Sequence, residues 1–181
     1  MKKQNKKTTA ILLLINIIAL LSTLTLVCGY QVTGYKWLDP DLFPYYYKDW
    51  TDYSEVDDST EDYNDWESLY FIFEETASTS CDLQIHKVDI ESDWDGYCHW
   101  YYSGTTITSV DLAINDHYVD GYSSDERKSV IAHELGHSFG LDHDNENEAR
   151  IMIENTRWRW DYYETCTPQQ DDINGIEDIY G

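Results

Sequence analysis

The longest apolar stretch of the chain lies near the N-terminus, from Ala10 to Val27, and only a few small polar residues interrupt it. Four lysines precede it. A positively charged start followed by an apolar run is typical of a secretory signal, and Gly29 offers a small residue for cleavage, so we expect residues 1–29 to be a signal peptide. Two alternatives stay open: residues 8–27 could remain as a membrane anchor, and Cys28 could carry a lipid. All three place the folded part outside the cytoplasm.

Beyond this run, several segments show the two-residue alternation of β-strands or are rich in β-branched and aromatic residues. These patterns predict strands at Phe43–Trp50, Cys81–Asp89 and Thr106–Asn115. Tyr30–Asp39 is predicted to be an extended entry segment. Glu91–Gly104 is rich in Asp, Trp and Tyr, and we expect it to be a loop.

Two further segments show the helical period. Ser59 opens the first predicted helix, whose apolar residues recur at helical spacing as far as Phe73 and should cover one face of a sheet. The second begins with a capping box at Ser123 and ends at Gly140. Strands that alternate with two helices indicate a mixed α/β or an α+β domain, and we expect the α+β class.

Length and composition fit one folded domain over residues 30–181, since the chain has 181 residues, of which 41 % are hydrophobic and 15 % aromatic. This aromatic content excludes a disordered acidic tail. The chain carries 35 Asp and Glu against 12 Lys and Arg, a net charge of −23. Nucleic acid is excluded as a partner because a phosphate backbone needs a basic surface, and no specific membrane lipid is expected for the same reason. We expect a monomer, and the acidity fits either a solvated surface or adaptation to high salt.

The cysteines are Cys28, Cys81, Cys98 and Cys166. In an oxidising compartment Cys81 and Cys98 are natural partners because they flank one short segment, and Cys166 would stay unpaired once Cys28 leaves with the signal. Four cysteines allow three pairings, so the connectivity is open. Their spacing does not suggest a cysteine-based zinc site.

The candidate chemistry lies in the second predicted helix, in the string His133-Glu134-Leu135-Gly136-His137. Two histidines four residues apart share one helical face, so both imidazoles can reach one metal ion. Glu134 lies on the adjacent flank, where it can contact an activated water without being a ligand. His143 follows three residues after the helix stop at Gly140. Three neutral imidazoles with one open position make a catalytic zinc site rather than a closed structural one.

The extended string His133 to His143 matches the metzincin pattern H-E-x-x-H-x-x-G-x-x-H, and Met152 resembles the Met-turn of that clan. Within the metzincins the chain resembles the matrixin, or matrix-metalloprotease-like, catalytic domain. The segment 167–181 resembles the closing helix of matrixins almost residue for residue, and Tyr35-Lys36-Trp37 resembles their opening. The Ile153-Glu154 pair after the methionine departs from the family, so the specificity pocket is not transferred. Asp144 after the third histidine resembles the adamalysin branch.

The resemblance implies a twisted, mostly parallel five-stranded sheet with about three helices and one catalytic zinc at the floor of a shallow cleft. It also implies that a peptide pairs in extended form with the edge strand, here Ile107–Ile114. The substrate-binding residues expected on that strand are Ile107, Thr108, Ser109 and Val110.

A second metal is a separate question. The histidines His86, His99 and His117 lack the spacing of the structural zinc site that some matrixins carry, so we expect packed or surface side chains. The stretch 93–96 (Asp-Trp-Asp-Gly) could belong to a calcium loop, although it lacks EF-hand spacing. Calcium is therefore an additional cofactor that the sequence leaves open.

The sequence thus predicts a secreted zinc-dependent endopeptidase that hydrolyses protein or peptide substrates by metal-activated water, with Glu134 as general base. The alternative is a catalytically silent zinc-containing binding or surface module. That alternative is disfavoured because Glu134, which such a module could lose freely, is present.

Overall fold

The computed structural model describes residues 30–38, 45–66, 73–145 and 148–181. The predicted signal peptide or anchor at 1–29 lies outside the described residues. Among the helices that are described, none combines the length and the apolar character needed to cross a bilayer.

The described residues form short strands, α-helices and one π-helical turn. The strands are β1 (Gln31–Val32), β2 (Lys36–Trp37), β3 (Tyr45–Asp49), β4 (Phe73–Glu75), β5 (Leu83–Val88), β6 (Gly96–Ser103), β7 (Thr106–Asn115) and β8 (Leu141–Asp142). The helices are α1 (Ser54–Asn64), α2 (Asp116–Val119), α3 (Ser124–Ser138) and α4 (Gln170–Tyr180), with a π-helical turn at Trp158–Tyr162.

Most strands join one mixed sheet. β2, β7, β5, β3 and β4 pair in that order and run parallel, whereas β6 pairs antiparallel with β7. β6 pairs with one edge of β7 along most of its length. The other edge of β7 pairs with β2 at Thr106–Ile107 and with β5 at Val110–Asn115. The predicted mostly parallel sheet is confirmed. It has six strands among the described residues, rather than five, because the two-residue β2 also pairs.

The core lies between this sheet and the helices on one of its faces. α3 packs against α1, β6 and β7, and every residue from Ser129 to Ser138 is buried. β7 contributes the buried side chains of Val110, Leu112 and Ile114 at alternate positions. Burying each such aliphatic side chain stabilises the fold by about 1.5–3 kcal/mol. The α3 segment that contains the histidine string is therefore held between α1 and the sheet.

The ends of α3 agree with the prediction. Ser123 is the N-cap, and its side chain accepts a hydrogen bond of 3.2 Å from the backbone N–H of Glu126. Beyond the last turn Gly140 has a φ of +98°, and a Cβ there would overlap the carbonyl oxygen of Tyr35. Only glycine allows this conformation and this contact, so the chain leaves the helix at Gly140. The closing helix implied by the resemblance is also present, as α4.

The prediction for the first helix was wrong in its bounds. α1 begins at Ser54 and ends at Asn64, and Phe73 begins β4 instead of continuing a helix; residues 67–72 lie outside the described residues. The Asn64 side chain donates to the Phe73 carbonyl at 3.0 Å and accepts from the Phe73 N–H at 3.1 Å. Phe73 pairs with Tyr45 of β3 and packs on Phe139, 5.2 Å away between ring centroids. Pairing with a distant strand thus outweighs the helical spacing of the aromatic residues.

The prediction of a loop at Glu91–Gly104 is also wrong over most of that range, because β6 occupies Gly96–Ser103. Its side chains alternate between an exposed face with Tyr97 and a less exposed face with Trp100. The expected edge strand Ile107–Ile114 was misplaced for the same reason. β7 is an interior strand with neighbours on both edges, and β6 forms the edge beyond it.

The expected Cys81–Cys98 disulfide is not formed. Cys81, Cys98 and Cys166 are free thiols. β7 lies between β5, which follows Cys81, and β6, which carries Cys98. Two strand spacings are about 10 Å, whereas bridged cysteines have Cα atoms within about 7 Å.

Candidate metal centre

Three histidines from two adjoining segments converge at one end of α3. His133 and His137 lie one turn apart on the helix, and His143 follows β8. The ring centroids of His133 and His137 are 4.7 Å apart, and that of His143 lies 5.2 and 4.7 Å from them. One ligand nitrogen of each ring lies within 4.8 Å of the others. The structure therefore brings together the three predicted metal ligands.

The donor set fits zinc. Nitrogens that surround zinc tetrahedrally at its usual bond length lie about 3.3 Å apart, and the Nε2 atoms of His137 and His143 are 3.0 Å apart. The Nδ1 atoms of His133 and His137 contact the carbonyls of Ile151 at 2.8 Å and Leu141 at 2.9 Å. A carbonyl can only accept, so each Nδ1 donates and each Nε2 keeps its lone pair for a metal.

The electrostatics of α3 favour the same state. Burial lowers the pKa of His133 well below its usual range and that of His137 to about 4. Both imidazoles are therefore neutral at pH 7 in the metal-free chain, and neutral imidazole is the form that binds metal.

Glu134 lies beside the histidines without a hydrogen-bond partner among the described residues. Glu134 is 5 % exposed. Burial is the main cause that raises the pKa of the carboxyl to about 8, against the opposing charge of Arg159 and with a smaller contribution from Asp95. Gly96 of β6 makes room for this side chain, since a Cβ there would overlap Glu134 Oε1. The carboxylate is thus held between α3 and β6, where it lines the same cleft as the histidines.

Met152 packs against α3 at Gly136, where a Cβ would overlap the Met152 sulfur. Asp172 near the start of α4 holds this segment, because its carboxylate accepts the N–H groups of Ile151 at 3.0 Å and Met152 at 3.3 Å. The Ile151 carbonyl in turn accepts from His133. α4 therefore orients His133 indirectly: Asp172 holds the N–H of Ile151, and the carbonyl of Ile151 holds the imidazole.

The segment that carries the third histidine is held by a buried ion pair. Arg150 pairs with Asp144, the residue directly after His143, and these side chains are 4 % and 3 % exposed. Arg150 also reaches Asp171 at 3.3 Å. The N–H of Asp144 donates to the Met152 carbonyl at 2.9 Å. Sequence reasoning missed Arg150, since nothing in its local pattern marks it as buried.

A second buried arginine, Arg159, is 1 % exposed. It donates to Ser129 Oγ at 2.8 Å, to Thr156 Oγ1 at 3.1 Å and to the Ile153 carbonyl. It lies in the π-helical turn and so joins that turn to α3 and to the chain after Met152. Its pKa falls to about 10 because of burial. The sequence analysis also missed this residue.

A cleft of about 930 Å³ opens beside the three histidines and Glu134. Its strand wall comes from β6, through Gly96, Cys98 and Trp100. Trp100 also donates its indole N–H to the His137 carbonyl at 2.8 Å. The expected substrate-binding residues do not line this cleft, because they lie on β7 behind β6. They are Ile107, Thr108, Ser109 and Val110.

Within the described residues, the three histidines form the one group of His, Cys, Asp or Glu side chains that could converge on a metal. The remaining histidines make other contacts: His86 stacks on Trp50 and His99 packs edge-on against Tyr101. The calcium-loop candidate at 93–96 borders the cleft, and no convergent carboxylate group is seen there.

Comparisons with known proteins agree with this geometry. The family model of the matrixins, peptidase family M10, matches residues 46–181. Interstitial collagenase A of Mus musculus is 48 % identical over 52 residues, which cover 29 % of this chain and 10 % of that protein. Interstitial collagenase B of the same species is 34 % identical over 118 residues, covering 61 % and 24 %. The chain thus spans about a quarter or less of the length of these curated relatives.

Among solved structures, that of myroilysin is similar to this chain with a TM-score of 0.45 and 18 % sequence identity, over 64 % of this chain and 55 % of that one. The matrixin model, by contrast, runs from within β3 to the last residue and includes the helix and turn that bear the three histidines. On that match, the chain belongs to the matrixin family, whose members are zinc-dependent endopeptidases.

Proposed function

We propose that this chain is a secreted zinc endopeptidase that uses Glu134 as its general base. One observation carries the proposal: three convergent imidazoles share a cleft with a buried carboxylate that has no hydrogen-bond partner among the described residues. A purely structural site would use a fourth protein ligand and would need no such carboxylate.

The residues divide the work of peptide hydrolysis. A zinc ion held by the three histidines would polarise the scissile carbonyl and lower the pKa of water. Glu134 accepts the proton of the attacking water and later passes it to the leaving amine. Burial raises its pKa to about 8 in the metal-free chain, and the positive charge of a bound zinc would lower it and favour the ionised form that accepts a proton.

The substrate main chain is proposed to pair with β6 rather than with β7. β6 has a strand neighbour on one edge only among the described residues. Its other edge offers backbone N–H and C=O groups to an extended peptide. Because β6 also forms the strand wall of the cleft, a peptide paired there would run past Glu134.

Secretion is part of the proposal and is supported by the lysine-rich start and apolar run within residues 1–29. A membrane anchor through residues 8–27 is the alternative form of attachment. In either case the catalytic domain would meet proteins or peptides outside the cytoplasm, and we expect it to act as a monomer.

The test is digestion of a broad peptide library by the full chain, with zinc content measured on the same sample. We expect one zinc per chain, cleavage of a subset of peptides, loss of cleavage with a chelator and recovery when zinc is added back. A chain that binds one zinc yet cleaves nothing would overturn the proposal in favour of a silent zinc module. Cleavage that survives complete removal of metal would overturn it as well.

A further inference from the structure

Carboxylates border the cleft in two separate parts of the chain. Asp93 and Asp95 precede β6, whereas Asp142 and Glu154 lie on either side of the segment that includes His143 and Met152. We call these four side chains the acidic rim. Asp93, Asp142 and Glu154 are exposed, so a bound peptide can reach them.

The basic compensation of the rim is partial: the buried Arg159 guanidinium attracts Asp95. In the described part of the chain none of its four carboxylates forms an ion pair with Lys or Arg, and Arg157 is the one basic side chain other than histidine that lines the cleft. Asp95 receives a hydrogen bond of 3.3 Å from the neutral hydroxyl of Tyr122. Glu154 lies 4.0 Å from Nδ1 of the His143 ring and accepts a hydrogen bond of 3.4 Å from the Asn145 amide.

Aromatic rings line the same cleft. They are Trp94, Tyr97, Trp100, Tyr118 and Tyr122. The rings of Trp94 and Tyr97 are 5.8 Å apart between centroids. Aromatic faces attract ammonium and guanidinium groups and also pack against the aliphatic stems of Lys and Arg. Among the residues that the structure describes, no Leu, Ile, Val, Met or Ala side chain lines the cleft.

A third observation is geometric. Glu134 is 5 % exposed, lines the same cleft and has no hydrogen-bond partner among the described residues. The whole chain carries a net charge of −23, which would draw cationic peptides toward the protein over longer distances.

From these features we infer that the cleft selects peptides with Lys or Arg next to the scissile bond. The inference rests on the proposed peptidase function, but the preference itself is a binding property. The cleft should disfavour peptides with acidic residues beside the scissile bond, because their carboxylates would be repelled by the acidic rim.

The experiment uses three peptides that differ only beside one known cleavage site, with Lys, Gln or Glu at that position. For the zinc-loaded full chain we expect kcat/KM to fall in the order Lys, Gln, Glu. Each exposed carboxylate that meets the cation should contribute about 2- to 5-fold to the Lys-to-Gln ratio. The ratio should shrink as ionic strength rises from about 0.05 to 0.5 M, because the Debye length shortens.

Two double variants separate the acidic rim from the overall charge. Asp93→Asn with Asp95→Asn changes the rim, and Glu61→Gln with Glu74→Gln makes the same change in net charge at exposed positions on α1 and β4. The first should lower the Lys-to-Gln ratio by at least the roughly 2- to 5-fold contribution of the exposed Asp93, whereas the second should leave it unchanged. Comparing ratios removes any effect of Asp95 on turnover that all three peptides share.

Binding of the same labelled peptides to zinc-loaded Glu134→Gln, measured by fluorescence anisotropy, keeps the inference testable if turnover fails. Tighter binding of the Lys peptide, weakened by the rim variant, supports it. Equal affinities and equal kcat/KM values for the Lys and Gln peptides would overturn the inference and leave the peptidase function intact. An equal loss in both double variants would also overturn it, because the preference would then come from net charge alone. Absence of any cleavage would count against the proposed function, and the affinities would still decide the inference.

Discussion

Replacing Arg150 with methionine tests whether a buried ion pair holds the third histidine. The Arg150 and Asp144 side chains are 4 % and 3 % exposed, so the substitution leaves a carboxylate buried without its cation. Breaking one partner of such a pair costs about 3–5 kcal/mol. The contact with Asp171, which is 28 % exposed, adds less because solvent screens it. Methionine preserves most of the packing of the arginine stem.

The loss should also reach the metal centre. Asp144 follows His143 directly, and its N–H donates to the Met152 carbonyl. A carboxylate that moves toward water would therefore displace the backbone that aims the His143 ring. Groups that orient metal ligands typically change metal affinity by about 10- to 100-fold. We expect a weakening of zinc binding in that range.

Two measurements check this expectation. Urea unfolding of the zinc-free protein should show the free energy of unfolding lowered by about 3–5 kcal/mol, and competition with a chelating dye should show the weaker zinc binding. Arg157→Met serves as the matched control, since Arg157 is exposed and forms no ion pair among the described residues, and it should change stability by no more than about 0.5 kcal/mol.

A second variant separates the buried charge from simple loss of packing. Combining Arg150→Met with Asp144→Asn removes both charges and should recover at least half of the lost stability. If Arg150→Met lowers the free energy of unfolding by less than about 1 kcal/mol and leaves zinc affinity unchanged, the Arg150–Asp144 ion pair does not hold His143. The same holds if the double variant is less stable than Arg150→Met alone.

Three further predictions concern the cleft and the charge of the chain. Glu134→Gln should lower kcat about 10²- to 10⁴-fold with zinc content unchanged, whereas His137→Ala should lose zinc; wild-type turnover in Glu134→Gln would contradict the role of the base. Burial raises the folded pKa of Glu134 to about 8, so the folded state binds its proton more tightly than the unfolded state does. Zinc-free wild type should therefore lose stability relative to Glu134→Gln as pH rises from about 4.5 to 8, by up to about 4 kcal/mol in urea unfolding, and a constant difference would show that the carboxyl is not desolvated. At a net charge of −23, Tm measured by calorimetry should rise between low and molar KCl, and a flat or falling Tm would exclude adaptation to high salt.

The sequence by itself was enough to predict α3 and the candidate metal ligands it carries. A capping box at Ser123, a helical apolar period and a stop at Gly140 are all local features, and together they bound the helix. Within a helix, spacing alone determines which side chains share a face, so His133 and His137 had to lie together. The strand Thr106–Asn115 was predictable for a similar reason, since its alternation reflects burial of one face.

Local pattern was insufficient where long-range partners decide the structure. β6 is rich in exposed polar and aromatic residues, and it is a strand because β7 offers it an edge. Its presence makes β7 interior, which moved the expected peptide-binding edge by one strand and separated Cys81 from Cys98. Pairing between strands depends on backbone groups that every residue has, so single-strand composition cannot rank the partners.

The supports of the site were likewise decided by the tertiary structure alone. Asp172 holds the Met152 segment from α4, and Arg150 and Arg159 are buried charges that no local period marks as buried. A charged residue stays exposed unless groups distant in the sequence offset the cost of its desolvation. Only the folded chain shows which groups these are. The sequence thus determined which residues can bind the metal, whereas the fold determined which residues hold them in place and which strand forms the cleft.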